Sequence, residues 1–479
     1  MATRTETRSG TVWTRITDNP QPAIIWAGVA AVLLLLQAGA LLQFVGTLLV
    51  DFIQAVPGGF QATLAASFTE AAGESPTLLS RETIPNQGYY DGSGYQGTFF
   101  GLSPAMAWAV RAALIYLYAA AWTYWAWIAY DWYREYYRAA DWTPRDDVVD
   151  RLRSHVWGIF GFVVVFMFVT MAIFAPALGP TTVEQNLKNP YGHTTKYWDG
   201  QSVQETTVGA ANVASQSVGS ESSNVGPMSY DDFGRFHPFG TLPTGKDLFT
   251  FIAAGSRISL IIGLLSVGLS AGVAVTLALL SAYYKGAVDL GLVLVSDSVM
   301  GMPQLLLLIM LTVVLGGTWI GKLYSGAFVL ALIFAGTGWP YLWRSLRGPA
   351  LQVSERQWVD AAKSFGQSPG SIMRKHMLPY ITGYLLIYGS MTLGGAIIAI
   401  AGLSFLGLGV DPPTPEWGRA VNAGQDYVET ASWHISLVPG LLITLVVTGF
   451  NALGDGIRDA IDPESDSAAG EAGGRGGGA

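Results

Sequence analysis

Cysteine is absent from all 479 residues. Disulfides, thiolate metal centres, a cysteine nucleophile and iron–sulfur clusters are therefore excluded, and the redox compartment is left open. Charge is nearly as scarce, at 13% Asp, Glu, Lys and Arg, about half the roughly 25% usual in soluble globular domains. That balance argues against a water-soluble chain of this length. The formal net charge of -8 is spread thinly, and no run of Lys and Arg is long enough for a nucleic-acid surface, which removes nucleic acid as a partner. The five histidines, His155, His193, His237, His376 and His434, include no pair at metal-ligand spacing on one helix face, so a metal enzyme is disfavoured. There is no Gly-x-Ser-x-Gly elbow. A phosphate loop is narrowly missed: Gly316, Gly321 and Lys322 satisfy its first seven positions, but Leu323 stands where a Ser or Thr hydroxyl would hold magnesium, and no strand precedes it. With no catalytic signature left, the chain is read as a non-enzyme.

What is present is hydrophobic sequence, 51% of the whole. A membrane-crossing helix needs about 20 predominantly apolar residues, and eight such runs occur, at residues 23–50, 105–130, 156–178, 259–282, 288–315, 325–343, 380–406 and 435–453. The first follows Arg4, Arg8 and Arg15 like a secretory signal, but its apolar run is too long and it is read as an uncleaved helix. Lys and Arg gather on the cytoplasmic side of membranes. An internal N-terminus puts Arg134, Arg138, Arg145, Arg151 and Arg153 inside after the second run, and Arg344, Arg347, Arg356, Lys363, Arg374 and Lys375 inside after the sixth. The expectation is an all-α polytopic membrane protein in the cell membrane, with both termini cytoplasmic. Residues 179–250, rich in Gly, Ser, Thr and Asn, form an extracytoplasmic segment of limited regular structure, and the tail 464–479 is expected to be disordered.

Two features of the runs admit competing readings. Asp297 is the charge most nearly inside an apolar stretch, which marks it as a path or relay residue facing the bundle; the favoured alternative is an amphipathic helix start, since Lys285 and Asp289 stand close upstream at the cytoplasmic interface. The aromatic cluster Trp122, Tyr124, Trp125, Trp127, Tyr130, Trp132, Tyr133, Tyr136 and Tyr137 is read as an interfacial belt in preference to a stacking site for a sugar or cation.

The cytoplasmic loop 354–379 is the informative one. Trp358, Ala361, Ala362 and Phe365 are spaced three and four apart, on one face of a short helix that Gly366 stops. A second short helix, 371–377, is expected to end at Pro379, where the next span opens. Two short amphipathic helices parted by Gly make a compact knob suited to a groove on a partner protein.

The run Asp360-Ala361-Ala362, Gly366, His376, Leu378-Pro379 resembles the coupling loop of binding-protein-dependent ABC importer permeases, with Asp360 in place of the usual Glu. His237-Pro238-Phe239-Gly240-Thr241 with Gly245-Lys246-Asp247 and Gly255-Ser256-Arg257 is similar to the entry to the second core helix of dipeptide and oligopeptide permeases of the C type, with Leu242 and Lys246 where that family usually has Asp and Arg. Leu403-Ser404-Phe405-Leu406-Gly407-Leu408-Gly409 with Pro412-Pro413, Trp417 and Gly418, and Phe450-Asn451 to Asp462-Pro463, resemble its extracytoplasmic loop and closing helix. Four motifs occur in order, between about Arg151 and Pro463.

The resemblance implies a type I ABC importer permease core of six helices, to which two extra N-terminal transmembrane helices are added. It divides the chain into a cytoplasmic arm 1–22, an accessory two-helix module 23–130 with an extracytoplasmic loop 51–103, a linker 131–154, a first core helix and extracytoplasmic segment 155–250, the core 251–463, and the tail. It implies alternating access and peptide uptake, with oligosaccharide, nickel or a non-transporting membrane scaffold as alternatives. It also implies partners: a B-type second permease, two ATP-binding subunits holding ATP and Mg, and an extracytoplasmic solute-binding protein, all within membrane lipid. Asp360, Ala361, Ala362, Gly366, His376, Leu378 and Pro379 would couple the chain to an ATPase. Glu416, Arg419, Asp426 and Glu429 would offer a polar docking loop outside.

Overall fold

A computed structural model describes residues 11–39, 42, 77–140 and 142–461, in two compact units: Met1–Asp147 with Lys196–Gln204, and Val148–Thr195 with Glu205–Ala479. The predicted loop 51–76, the end of the first apolar run and the tail lie outside the described residues.

In the first unit, α1 (Val12–Asp18) and α2 (Gln21–Leu36) are bent by 95° about Asn19-Pro20. Helix α3 (Pro104–Trp132) begins where Ser103 accepts a bond from the Met106 N–H and Pro104 supplies the first helical position. The aromatic cluster does more than sit at an interface. Trp26 and Trp125 donate their indole N–H groups to each other's carbonyls (3.1 and 3.2 Å), Tyr118 donates to the Leu33 carbonyl at 2.7 Å, and Trp122 donates to the Tyr118 oxygen at 2.8 Å. These bonds join α2 to α3 within the apolar run, where each satisfies a polar group that lipid would leave unpaired. Arg111 is buried and donates to the Ile84 carbonyl at 2.8 Å. The segment before α3 covers it.

The second unit opens with α4 (Pro144–Ser154), which crosses the boundary, and α5 (Val156–Ile173). It continues through α6 (Val208–Ala214) and α7 (Leu248–Tyr284). Next come α8 (Gly286–Met300), α9 (Gln304–Gly316) and α10 (Ala327–Ser354). The last are α11 (Gln357–Ser364), α12 (Leu378–Phe405), α13 (Trp417–Gly424) and α14 (His434–Ile461). Helix α7 is longer than its apolar run because Asp247 caps it about three turns earlier, accepting from the Thr250 N–H at 2.6 Å. Small residues set a close crossing between α5 and α14: a Cβ on Gly161 would stand 2.3 Å from the Leu453 nitrogen, so only glycine lets these backbones meet.

One expected span is corrected. Residues 288–315 are two helices, α8 and α9, bent by 82°. Pro303 has no N–H to continue the ladder and its ring forces Met302 out of helical geometry. Among the described residues, six helices are long and apolar enough to cross a membrane alone, and up to eight if each bent pair counts as one span. Two buried apolar clusters hold this unit. One joins Ala278, Trp343, Leu346, Val359, Ala362, Ile372, Met377 and Ile381 at the α10–α11 end. The other joins Ile262, Leu308, Leu330, Ile400 and Leu403.

Candidate functional site

The coupling segment is built outward from the first of those clusters. In α11, Val359 (0% exposed) and Ala362 (4%) are driven into it, as are Ile372 and Met377 beyond the turn. The remaining apolar residues point away: Phe365 is 85% exposed, and Trp358 and Ala361 are also exposed. The single apolar face expected from Trp358, Ala361, Ala362 and Phe365 is thus split. A helix this short can bury one stripe against its own core and present a second, and here only Ala362 of the four belongs to the inner stripe.

The turn after α11 is fixed by hydrogen bonds. The Gln367 N–H donates to the Ala362 carbonyl (3.2 Å) and the Gly366 N–H to the Lys363 carbonyl (2.9 Å), with Gly366 at φ 72°. This is the paired bonding of a Schellman cap. Nothing lies within 4 Å of a Cβ placed on Gly366, so glycine is needed for its left-handed backbone and not for space. His376 bonds Gln367 Oε1 through Nε2 at 3.0 Å, tying the turn to the next helix. Asp360 is exposed and paired with Lys363 at 3.2 Å.

The expected break at Pro379 does not occur. Pro369–Ile372, a π-helical turn at Met373–Met377 and α12 run on as one 37-residue helix, Pro369–Phe405. The wider π turn carries the chain past a residue that cannot donate a backbone N–H. Leu378 is half-buried and Pro379 exposed on its outer side. His376, Leu378 and Pro379 therefore lie on one continuous helix with residues 380–405.

On residues 179–250 the expected limited regular structure gives way to a dense polar cluster. His237, 3% exposed, lies between two carboxylates, Asp247 at 2.8 Å from Nδ1 and Asp231 at 3.4 Å from Nε2. Arg235 donates to Asp231 (2.7 Å), to Asn212 Oδ1 (2.7 Å) and to Ser215 Oγ (3.2 Å), and Ser215 donates to Asp231 at 2.9 Å. Burial opposes the charge on His237, yet its bonds to Asp231 and Asp247 raise its pKa. Burial likewise opposes ionisation of Asp231, but His237 and Arg235 hold it well below the usual carboxylate range. The His237 motif was visible in sequence; Asp231, Arg235, Ser215 and Asn212 were not, because no periodicity links irregular backbone.

The loop 406–433 needs a correction as well. Glu416, expected to be available for docking, is 1% exposed. It caps α13, accepting from the Gly418 N–H at 2.7 Å, and burial pushes its pKa up to about 7 against those bonds. Arg419 donates to the Val410 carbonyl at 3.3 Å; Asp426 and Glu429 remain exposed. The phosphate-loop near miss is a tight turn, Ile320–Gly326, between α9 and α10, so helix, not strand, precedes Lys322. Asp297 is paired with Arg344 of α10, and Asp289 with Arg347.

Two family models match: the inner membrane component of binding-protein-dependent transport systems over residues 274–466, and the N-terminal transmembrane domain of oligopeptide transport permease C over 143–192. The dipeptide transport system permease protein of Alkalihalophilus pseudofirmus is 30% identical over 327 residues, 68% of this chain and 91% of its own. The glutathione transport system permease protein of Pectobacterium atrosepticum is 35% identical over 241 residues, 50% of this chain and 75% of its own. That of Escherichia coli is 36% identical over 228 residues, 48% of this chain and 72% of its own. With its membrane-length helices in place, the chain belongs to the binding-protein-dependent ABC transporter permeases, in the C-type branch of the peptide permease family.

Proposed function

We propose that this chain is one of two permease subunits of an importer that carries short peptides inward by alternating access, powered by ATP hydrolysis in separate subunits. The outward stripe of α11 carries this reading: a Phe at 85% exposure on a cytoplasmic knob, anchored beneath by Val359, Ala362, Ile372 and Met377, is shaped to enter a partner's groove. The partner would be an ATP-binding subunit with its own ATP and Mg, one under this chain and one under a B-type permease. Asp360, Ala361, Ala362, Gly366, His376, Leu378 and Pro379 would pass its movement into α12 as a rigid-body rotation, because no flexible joint interrupts Pro369–Phe405. A solute-binding protein would deliver cargo on the opposite side, and both termini would lie in the cytoplasm, the side to which the basic residues of 356–375 assign the knob. Peptide is favoured over oligosaccharide, nickel or a scaffold role because the relatives are named for dipeptide and glutathione.

Co-purification tests the docking. Phe365→Asp is expected to leave the permease in the membrane and to lower the ATPase retained with it by tenfold or more, as about 2 kcal/mol or more is lost when an interface anchor is removed. ATPase retention at the wild-type level would refute the coupling role.

The first unit is read as an accessory module outside the path, since every family motif follows Arg151. A chain starting at Asp147 is expected to insert, bind its ATPases and transport, with reduced thermal stability because 196–204 is left without the rest of its unit. Normal assembly without transport would show that the module is functional.

A further inference from the structure

The exposed surface of α8 and α9 is mostly apolar, as lipid or a second subunit requires: Leu290, Leu294, Val313 and Val314 each expose more than half of their surface. One site breaks that rule twice. Asp297 and Arg344 form an ion pair whose side chains remain 49% and 52% exposed. One helical turn beyond Asp297 the helix ends at Met300 and resumes only at Gln304, with Gly301, Met302 and Pro303 between them all exposed. Lys285 and Glu355 pair at 3.2 Å where α8 begins and α10 has ended. From there, about 18 Å of helix leads to Asp297 along α8 and about 15 Å to Arg344 along α10, roughly half of the 30 Å hydrocarbon layer. A charged pair and an irregular backbone at that depth are each tolerated only beside protein or water. Ser298, Tyr341 and Gly348 continue the same exposed, lightly polar strip.

We propose that Asp297 and Arg344 line the water-filled path and engage the two charged ends of the peptide, Arg344 taking the α-carboxylate and Asp297 the α-ammonium group. The assignment rests on the peptide reading above. An internally paired site suits this cargo: the two groups satisfy each other when the path is empty, and a zwitterion replaces both contacts at once without leaving a net charge in the membrane. Each contact is gained as the mutual pair opens, so the site binds weakly enough to release, which transport demands.

The test uses the complete complex, with its ATPases and binding protein, in proteoliposomes. A cysteine at Ser298 in the otherwise native chain is expected to react with a charged, membrane-impermeant thiol reagent supplied on both sides, and one at Val313 not to react; an inert Ser298→Cys would overturn the assignment. Uptake of trialanine is then compared with that of its C-terminal amide and its N-acetyl derivative. Arg344→Gln is expected to lower uptake of the free peptide about tenfold while changing amide uptake little, and Asp297→Asn to discriminate in the same way against the N-acetyl form. The charge-swapped double variant, Asp297→Arg with Arg344→Asp, is expected not to restore wild-type uptake. Equal losses for free and blocked peptides, or full rescue by the swap, would mean a purely structural pair and would sink the inference alone. A wild-type complex that moves none of these peptides would sink the peptide reading and this assignment with it.

Discussion

Gly366→Val is expected to abolish most substrate-stimulated ATP hydrolysis while leaving the protein in the membrane in normal amount, whereas Gly366→Asn should keep most of it. The reason is conformational. At φ 72° a β-branched side chain is a steric outlier, and an ordinary residue there loses about 1–2 kcal/mol, a factor of five to thirty in the population of the docking geometry. Asn visits the left-handed region with little strain. Because a Cβ at this position would meet nothing within 4 Å, crowding predicts no difference between the variants and conformation predicts a large one. Val359 and Ala362 stay buried in either case, so the fold of the spans is not at stake. ATPase rates with and without substrate, normalised to assembled complex, decide it. Equal stimulation in the two variants would remove the cap from the coupling mechanism.

Much of the molecule was legible in its sequence because lipid imposes a simple rule. Spans must be long and apolar, so 105–130 and 435–453 predict α3 and α14 to within a few turns. The family was legible for a different reason: Asp360-Ala361-Ala362, Gly366 and Leu378-Pro379 form a local pattern that resembles the permeases' coupling loop. What escaped depends on tertiary context. Apolar periodicity in α11 does not say which stripe faces its own core, since Val359 was unremarkable until the second cluster member beside it, Ala362, was seen to share its pocket. The break of 288–315 at Met302-Pro303 was masked by unbroken hydropathy, although a proline at that point was a readable signal. Glu416 looked solvated because charged residues outside the membrane usually are; its burial follows from capping α13 while Trp417 next to it donates to the Ile252 carbonyl at 2.7 Å. Asp297 and Arg344, 47 residues apart, could be paired only by the packing of α8 on α10.

The segment 179–247 should owe its stability to the charge on His237, with a pH dependence whose sign is fixed. His237 has a folded pKa raised above its unfolded value of about 6.5. Its contribution is therefore fully present below about 6.5 and is lost as pH rises through the folded value. Asp231 is depressed in the folded state, so its contribution is present above its unfolded value of about 3.9 and is lost as pH falls through the folded one. Resistance of residues 179–247 to external protease should accordingly be greatest between roughly pH 4 and 6.5 and weaken on the alkaline side. The groups facing His237 are Asp231 and Asp247 directly, and Arg235 and Ser215 through Asp231. Removing Asp247 leaves the buried His237 with Asp231 alone, at 3.4 Å: Asp247→Ala should cost about 2–3 kcal/mol for the lost charge-assisted bond, and it also removes the bond that caps α7 at Thr250. His237→Gln keeps a hydrogen-bonding side chain but no charge, so its protease resistance should be lower at pH 5.5 and closest to the wild type on the alkaline side. A His237→Gln protein with the wild-type pH profile would mean that the cluster is held by hydrogen bonds alone, with no contribution from the imidazolium.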